Sequence, residues 1–556
     1  MKMKTIKQLT FIAIFSFIAL SCEQESIMKL DPAAASASTP SGKAGSADFT
    51  KFSAIGGSYV AGFSDGTLYT NGQKNSLAAI IANQINYTRS ADAQAAYTFN
   101  QPDINSENGY INAGTDGVAG TPDDNGRMFL GTSASTGETG LYFKQPGDPV
   151  AIQTPYAGDK IALNNFAFGN SVLGHFLSTE TGGPNPLHPL FNPFYARFGA
   201  AGSASPIAQF LGTAPSFWMA WLGASDFVGY AAKGGDIAQA PKPDGATLSA
   251  YWGQALTAMI SSNQVAKGIV GTVPDILALP YFNFIASDAI PLDAATATAL
   301  NTQLGGGFNQ LISAAAANGL GVSAAEATQR QLVWKEGQNN LLMNDSSLTD
   351  LFPVWTNLVA AGVLSADDLN GNTIPDAIEP LMPYRYARMA TANDKAVLAA
   401  QGVLGLPNTA PGVNPPPVWG VSWPLSDEHV LTATELVEFE TARATLNAGI
   451  KAKVKELNEN VVINSAGLNR LALVDLDGTY AAWATNSPLS ENGVVVTYDF
   501  APPTGMWSFD AVHPNARGYA LLANKWIDAI NAHFGSTIPK AQVGWYPGPA
   551  LPEAVN

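Results

Sequence analysis

Near the end of this 556-residue chain, Asp510 and His513 stand three residues apart in the stretch SFDAVHPNARGY. On a turn or a first helical turn, that spacing lets the carboxylate reach His513 Nδ1. The contact fixes the ring tautomer and leaves Nε2 free to take a proton. The chain holds only five histidines, so one in this context carries weight. Near the other end, AIGGSYVAGFSDG (Ala54–Gly66) sets Ser58 among glycines and small residues, just after the apolar stretch Phe52–Ile55. A serine at a strand end becomes a nucleophile when a nearby imidazole removes its proton on attack. The plainer alternatives are a turn serine at position 58 and a helix entrance at D-x-x-H-P, where His513 would only cap the last helix.

Bringing positions 58 and 513 together requires a scaffold that returns both ends of the chain to one place. Four short apolar runs read as buried parallel strands: Phe52–Ile55, Phe217–Leu222, Gly268–Val273 and Leu471–Leu476. Helical patterns lie between them. Asn75–Ile85 has apolar residues at helical spacing. Thr432–Asn458 opens with a capping box formed by Thr432 and Glu435. Asn515–Phe534 is amphipathic and follows Pro514. Strands alternating with helices imply an α/β fold with a mostly parallel sheet. Ligands bind such sheets in the loops after the strands. Residues 89–160 and roughly 285–425 exceed a minimal α/β unit and read as insertions in one catalytic domain spanning 49–545. A separate domain at 285–425 is the alternative.

Four patches, in order along the chain, resemble the SGNH (GDSL) serine hydrolase pattern. GGSYVAG (Gly56–Gly62) matches the nucleophile block. NNFAFGNS (Asn164–Ser171) matches the block whose glycine supplies a backbone N–H. WLGASDF (Trp221–Phe227) matches the G-x-N-D block, and DAVHP (Asp510–Pro514) the D-x-x-H block. The resemblance implies a three-layer α/β/α, flavodoxin-like fold. It also implies ester hydrolysis through an acyl-enzyme, with Ser58 as nucleophile, His513 as general base and Asp510 as its orienting acid. The oxyanion would be held by the backbone N–H groups of Ser58 and Gly169 and by the side chain at 225, with no cofactor in catalysis. Two positions depart from the pattern. Gly57 stands where the motif most often has Asp, and Ser225 where it has an asparagine whose amide is an oxyanion donor. Losing one such donor costs roughly 10²–10³ in rate, about 3–4 kcal/mol. Asp226 reads as a residue steadying the turn after its strand. The expected substrate is a lipid or other small-molecule ester. A carbohydrate acetyl-esterase, or a non-catalytic ligand-binding lipoprotein of the same fold, is the alternative.

The N-terminus reads as a targeting segment. Lys2, Lys4 and Lys7 precede the apolar run Leu9–Leu20, which is short for a membrane span, and the run ends at ALSC. This resembles a bacterial lipoprotein signal, residues 1–21, with Cys22 as the lipid-bearing first residue of the mature chain. An ordinary signal peptide with an incidental cysteine is the alternative. Cys22 is the only cysteine, so intramolecular disulfides are impossible. Residues 22–48 are Pro/Ser-rich and read as a flexible tether. The expected location is the bacterial cell envelope, anchored by lipid to the outer membrane on its periplasmic or outer face.

Composition narrows the partners. Hydrophobic residues make up 46% of the chain and charged residues 13%, which favours a globular body. Acids outnumber bases 44 to 28, and such a surface repels the phosphate backbone of nucleic acid. One further motif concerns metal. In DLNGNTIPDAIE, Asp368, Asn370, Asn372, Asp376 and Glu379 fall at loop positions 1, 3, 5, 9 and 12, with the Ile374 carbonyl at position 7. Hard oxygen donors at that spacing suit a structural calcium. The glycine usual at position 6 is replaced by Thr373, and the alternative is a solvated Asn/Gly/Asp turn.

Overall fold

The computed structural model describes residues 41–555, apart from 201, 411–413 and 465–466. The signal segment, Cys22 and the tether as far as residue 40 lie outside the described residues. The last part of the tether sequence is laid down on the folded body. Gly42 N donates to the Tyr87 carbonyl (3.0 Å), Ser46 N to the Phe534 carbonyl (2.8 Å) and Lys43 N to Thr537 Oγ1 (2.9 Å).

The described chain divides into two compact units. One consists of Gly229–Lys242 and Tyr281–Glu440; the other runs through Val228, then Pro243–Pro280, then Thr441 onward. The larger unit is a mixed α/β body around a parallel sheet. Its strands are β1 (Phe52–Gly56), β2 (Phe217–Trp221), β3 (Lys267–Gly271) and β4 (Leu471–Val474), paired in that order, every pairing parallel. All five residues of β1 and all five of β2 are buried, so both faces of the sheet are covered. This is why these strands read as continuous apolar runs and not as alternating ones. Beside the outer edge of β1 lies the extended segment 164–168. Ala54 N donates to Asn164 O (2.7 Å), Phe166 N to Ala54 O (2.8 Å) and Phe168 N to Gly56 O (3.1 Å). With this segment counted second along the chain, the spatial order is 2-1-3-4-5.

The helices form where the apolar spacing places them, with capping side chains fixing their starts. Leu77–Asn86 (α2, after the short α1, Ser58–Ala61) begins at Ser76, whose Oγ accepts from Ala79 N (3.2 Å). Ala224–Ala231 (α3) follows β2, and Gly245–Ser262 (α4) is capped by Asp244. Ala433–Glu459 (α5) carries the capping box: Thr432 N donates to Glu435 Oε2 (2.8 Å) and Glu435 N to Thr432 Oγ1 (3.3 Å). Ala516–Phe534 (α6) starts at Asn515, whose side chain accepts from Gly518 N (3.0 Å), and it buries Trp526. Trp218 lies so close over β3 that a Cβ on Gly268 would come within 2.4 Å of its ring, so only glycine fits there. Truncating such a buried aromatic to alanine costs about 3–5 kcal/mol. Within residues 89–160, Met128–Ser133 and Thr139–Phe143 form a hairpin, and Glu553–Val555 adds to it in parallel.

The smaller unit contains the 285–425 stretch and has its own core. Helices Gly306–Ala317 and Leu351–Ala360 bury Phe308, Ile312, Trp355 and Leu358 against Leu332 and Trp334. Arg388 is buried between two carboxylates, Asp345 (2.6 Å) and Asp394 (2.7 Å). A buried cation survives there because both partners hydrogen-bond it.

Candidate active site

Strand β1 delivers its C-terminal end into a tight turn. A Cβ on Gly56 would meet Val60 Cγ2 at 2.5 Å and the Trp221 carbonyl at 2.8 Å, so the backbone can pass there only as glycine. Helix α1 has only four residues, Ser58 to Ala61, and closes at Gly62 with φ +91°, a conformation that favours glycine. Ser58 is therefore the first helical residue beyond the sheet, 9% exposed. Tyr59 OH donates to the Val512 carbonyl (2.8 Å) and ties this turn to the histidine loop.

That loop is shaped by one carboxylate. Asp510 Oδ1 accepts from Ser508 Oγ (3.0 Å), Val512 N (2.9 Å) and His513 N (2.8 Å); Oδ2 accepts from Gly66 N (2.8 Å) and pairs with His513 Nδ1 (2.9 Å). His513 Nε2 lies 2.9 Å from Ser58 Oγ. With the ring proton on Nδ1, facing Asp510, Nε2 accepts the serine hydroxyl. Burial works to raise the carboxyl pKa of Asp510. The charge of His513 and the hydrogen bonds outweigh it and hold the group below its ordinary value, ionised. The rings of Tyr59 and Phe63 flank His513 at 5.2 and 5.7 Å. Asn515 fixes the far end of the loop, donating to the Gly505 carbonyl (2.9 Å) and the Trp507 carbonyl (3.0 Å).

Two backbone N–H groups remain for an oxyanion. Among the described residues, neither Ser58 N nor Gly169 N has an acceptor. Gly169 is held beside the turn by the Phe168–Gly56 hydrogen bond and by Asn192 Nδ2, which donates to the Gly169 carbonyl (2.9 Å). Ser225, in the first turn of α3, presents its Oγ toward Gly57: a Cβ at 57 would come within 2.9 Å of it and within 3.0 Å of Ser171 Oγ. The two departures from the motif thus fit each other, since glycine at 57 leaves room for the serine hydroxyls. Ser171 Oγ is buried, with no partner among the described residues.

No family model, curated protein or solved structure matches this chain in comparison with known proteins.

Two further carboxylates support the site: Asp65, which the motifs did not single out, and Asp226, expected to steady the turn after its strand. Asp65 N donates to Ser508 Oγ (2.9 Å), and the Asp65 carboxylate accepts from Phe509 N (3.1 Å) and Tyr69 OH (3.0 Å). Burial pushes the Asp65 carboxyl up to about 6. It follows Ser58 by seven residues in the same glycine-rich stretch, a proximity that could have flagged it. Asp226 accepts from Leu173 N with both oxygens (3.2 and 3.0 Å), and burial pushes its carboxyl up to about 7. It holds the start of the short helix Leu173–Leu177. The other histidines make local contacts: His175 Nδ1 accepts from Val172 N (2.9 Å), His188 Nδ1 accepts from Leu190 N (3.1 Å), His429 Nδ1 meets Ser426 Oγ (2.7 Å), and His533 Nε2 meets the Asn469 carbonyl (2.9 Å).

The loop 368–379 lies in the smaller unit, exposed over residues 368–373 and partly buried beyond them. Asp368 accepts from Gly371 N, Asn372 N and Thr373 N, and Asp376 from Leu369 N. Asn370 and Asn372 turn their Nδ2 groups toward Glu379 Oε1 (2.7 and 2.5 Å). A cation among these side chains would need both amides rotated to present oxygen, so the arrangement as it stands fits calcium incompletely. Ile374 N donates to Asn372 Oδ1 (2.9 Å), and the Ile374 side chain packs against the core of the unit. Among the described residues, no three His, Cys, Asp or Glu side chains gather as a metal site, and no helix is long and apolar enough to cross a membrane.

Proposed function

We propose that this chain is a serine ester hydrolase of the SGNH type, working through an acyl-enzyme. The observation that carries the reading is the unbroken line Ser58 Oγ–His513 Nε2 (2.9 Å) and His513 Nδ1–Asp510 Oδ2 (2.9 Å), closed between residues 455 positions apart. The strand order 2-1-3-4-5 supports the finer fold assignment, since it is the flavodoxin-like order of doubly wound sheets.

In this mechanism Ser58 Oγ attacks the ester carbonyl carbon while His513 Nε2 takes its proton. Asp510 stabilises the imidazolium. The oxyanion is met by Ser58 N–H, Gly169 N–H and the Ser225 hydroxyl. His513 then protonates the departing alcohol, and a water activated by the same imidazole releases the acid. Phe63 touches Gly169 and lies 5.3 Å from Phe194, which gives the site an apolar wall suited to an acyl group. Lipid or short-chain esters fit this wall, and acetylated carbohydrate fits it equally. The lipid anchor on Cys22 and the envelope location belong to the same proposal.

The test is hydrolysis of p-nitrophenyl acetate and butyrate by wild type and Ser58→Ala, with fluorophosphonate labelling. Activity and label both vanish in the variant. Equal background rates in the two proteins would support the non-catalytic alternative and remove the enzyme.

A further inference from the structure

The smaller unit contains a concave pocket of about 340 Å³, at the low end of the range for small-ligand sites. Its floor is a corner of two tryptophans, Trp419 and Trp423, with ring centroids 6.2 Å apart and planes at 78°. Backbone hydrogen bonds fix the corner: Gly420 N donates to Trp423 O (2.7 Å), and Trp423 N to Val418 O (2.9 Å). Tyr384, 6.4 Å from Trp423, anchors through its OH on the Ser422 carbonyl (2.6 Å). Both tryptophans are partly exposed, and among the described residues neither indole N–H has an acceptor.

Apart from Arg385, the polar side chains lining the pocket are neutral. Arg385 lines it, but its guanidinium is held by both oxygens of Asp350. No Asp or Glu lines it. Asn344 also lines it, its Oδ1 enclosed and without a partner, and no acceptor takes its Nδ2 among the described residues.

We infer that this pocket binds a neutral glycan: one sugar ring lays its C–H face on the Trp419/Trp423 corner, and its neighbouring hydroxyls pair with the Asn344 amide. No carboxylate lines the pocket to hold a metal ion, and the pairing of Arg385 with Asp350 disfavours a phosphate. The perpendicular rings leave no parallel slot for a flat aromatic ligand. An acyl chain offers Asn344 Nδ2 no acceptor, whereas a sugar hydroxyl accepts from it. The site is independent of the hydrolase reading, since its lining residues all fall between positions 344 and 426 in the smaller unit.

The experiment titrates the full chain with cellotetraose, xylotetraose, mannotetraose and chitotetraose, and separately with n-octanol, reading tryptophan fluorescence and calorimetry. At least one tetrasaccharide is expected to bind saturably. Trp423→Ala and Asn344→Ala each weaken it by about tenfold or more, while Ser58→Ala leaves it unchanged. Asn344→Ala, checked for an unaltered melting temperature, keeps the test valid should Trp423→Ala fail to fold. No saturable binding of any tetrasaccharide at millimolar concentration overturns the inference. So does binding indifferent to Asn344→Ala, or a response to n-octanol alone.

Discussion

Replacing Asp510 by asparagine keeps shape and volume and changes only which atoms can accept. Oδ1 receives three donors and Oδ2 two. The new amide nitrogen settles where it opposes the fewest, in place of Oδ2, and faces Gly66 N–H and the His513 ring. His513 then moves its proton from Nδ1 to Nε2, and a protonated Nε2 cannot take the proton of Ser58. The expected loss is about 10⁴ in kcat, about 5.5 kcal/mol of transition-state stabilisation. Stability falls by about 1–3 kcal/mol, because Gly66 N–H loses its acceptor. The assay is kcat and KM on p-nitrophenyl butyrate for protein shown by circular dichroism to be folded. Stability in acid gives a second readout. The folded-state pKa of Asp510 lies below its unfolded value, so its contribution is present at neutral pH and is lost as pH falls through that folded-state value. Asp510→Asn lacks this limb. A folded Asp510→Asn that keeps more than about a tenth of kcat would mean that Asp510 does not set the tautomer.

Gly169→Ala places a Cβ 2.0 Å from the Phe63 ring. It should displace both that ring and the N–H, lowering kcat about 10²-fold; an unaltered kcat would take Gly169 out of the oxyanion site. Ser225→Ala removes only a hydroxyl. It is expected to lower kcat by about 10²-fold with KM nearly constant, and an equal rise in KM would point to substrate binding instead. Asp226 titrates up to about 7 in the folded chain, against about 3.9 unfolded. The folded state therefore holds the extra proton, and wild-type stability falls as pH rises between those values. Asp226→Asn should gain on wild type from pH 5 to pH 8 by on the order of 2–3 kcal/mol in urea melts, and a pH-independent difference would refute the assignment.

The sheet was legible because parallel strands covered on both faces must be apolar throughout, and their order in the chain follows. Ends were less legible. The apolar run Leu471–Leu476 stops pairing at Val474 because Leu476 N turns to Thr272 Oγ1 (2.7 Å). The extended segment 164–168 was visible as a motif but not as a neighbour of β1, since Asn164 and Asn165 break its apolar pattern. Ser58, Asp510 and His513 could be singled out because each sits in a short local signature. Ser508 and Ser171 could not, because their roles exist only once distant loops converge. The same holds for the tryptophan corner at 419–423. Its concavity depends on Asn344 and Arg385, which are brought in from far along the chain.

On the proposed chemistry, the distance between Ser58 and His513 along the chain has a consequence during synthesis. The base follows the nucleophile by 455 residues, so a product terminated anywhere between them is silent. Hydrolytic capability arises only once synthesis has passed His513.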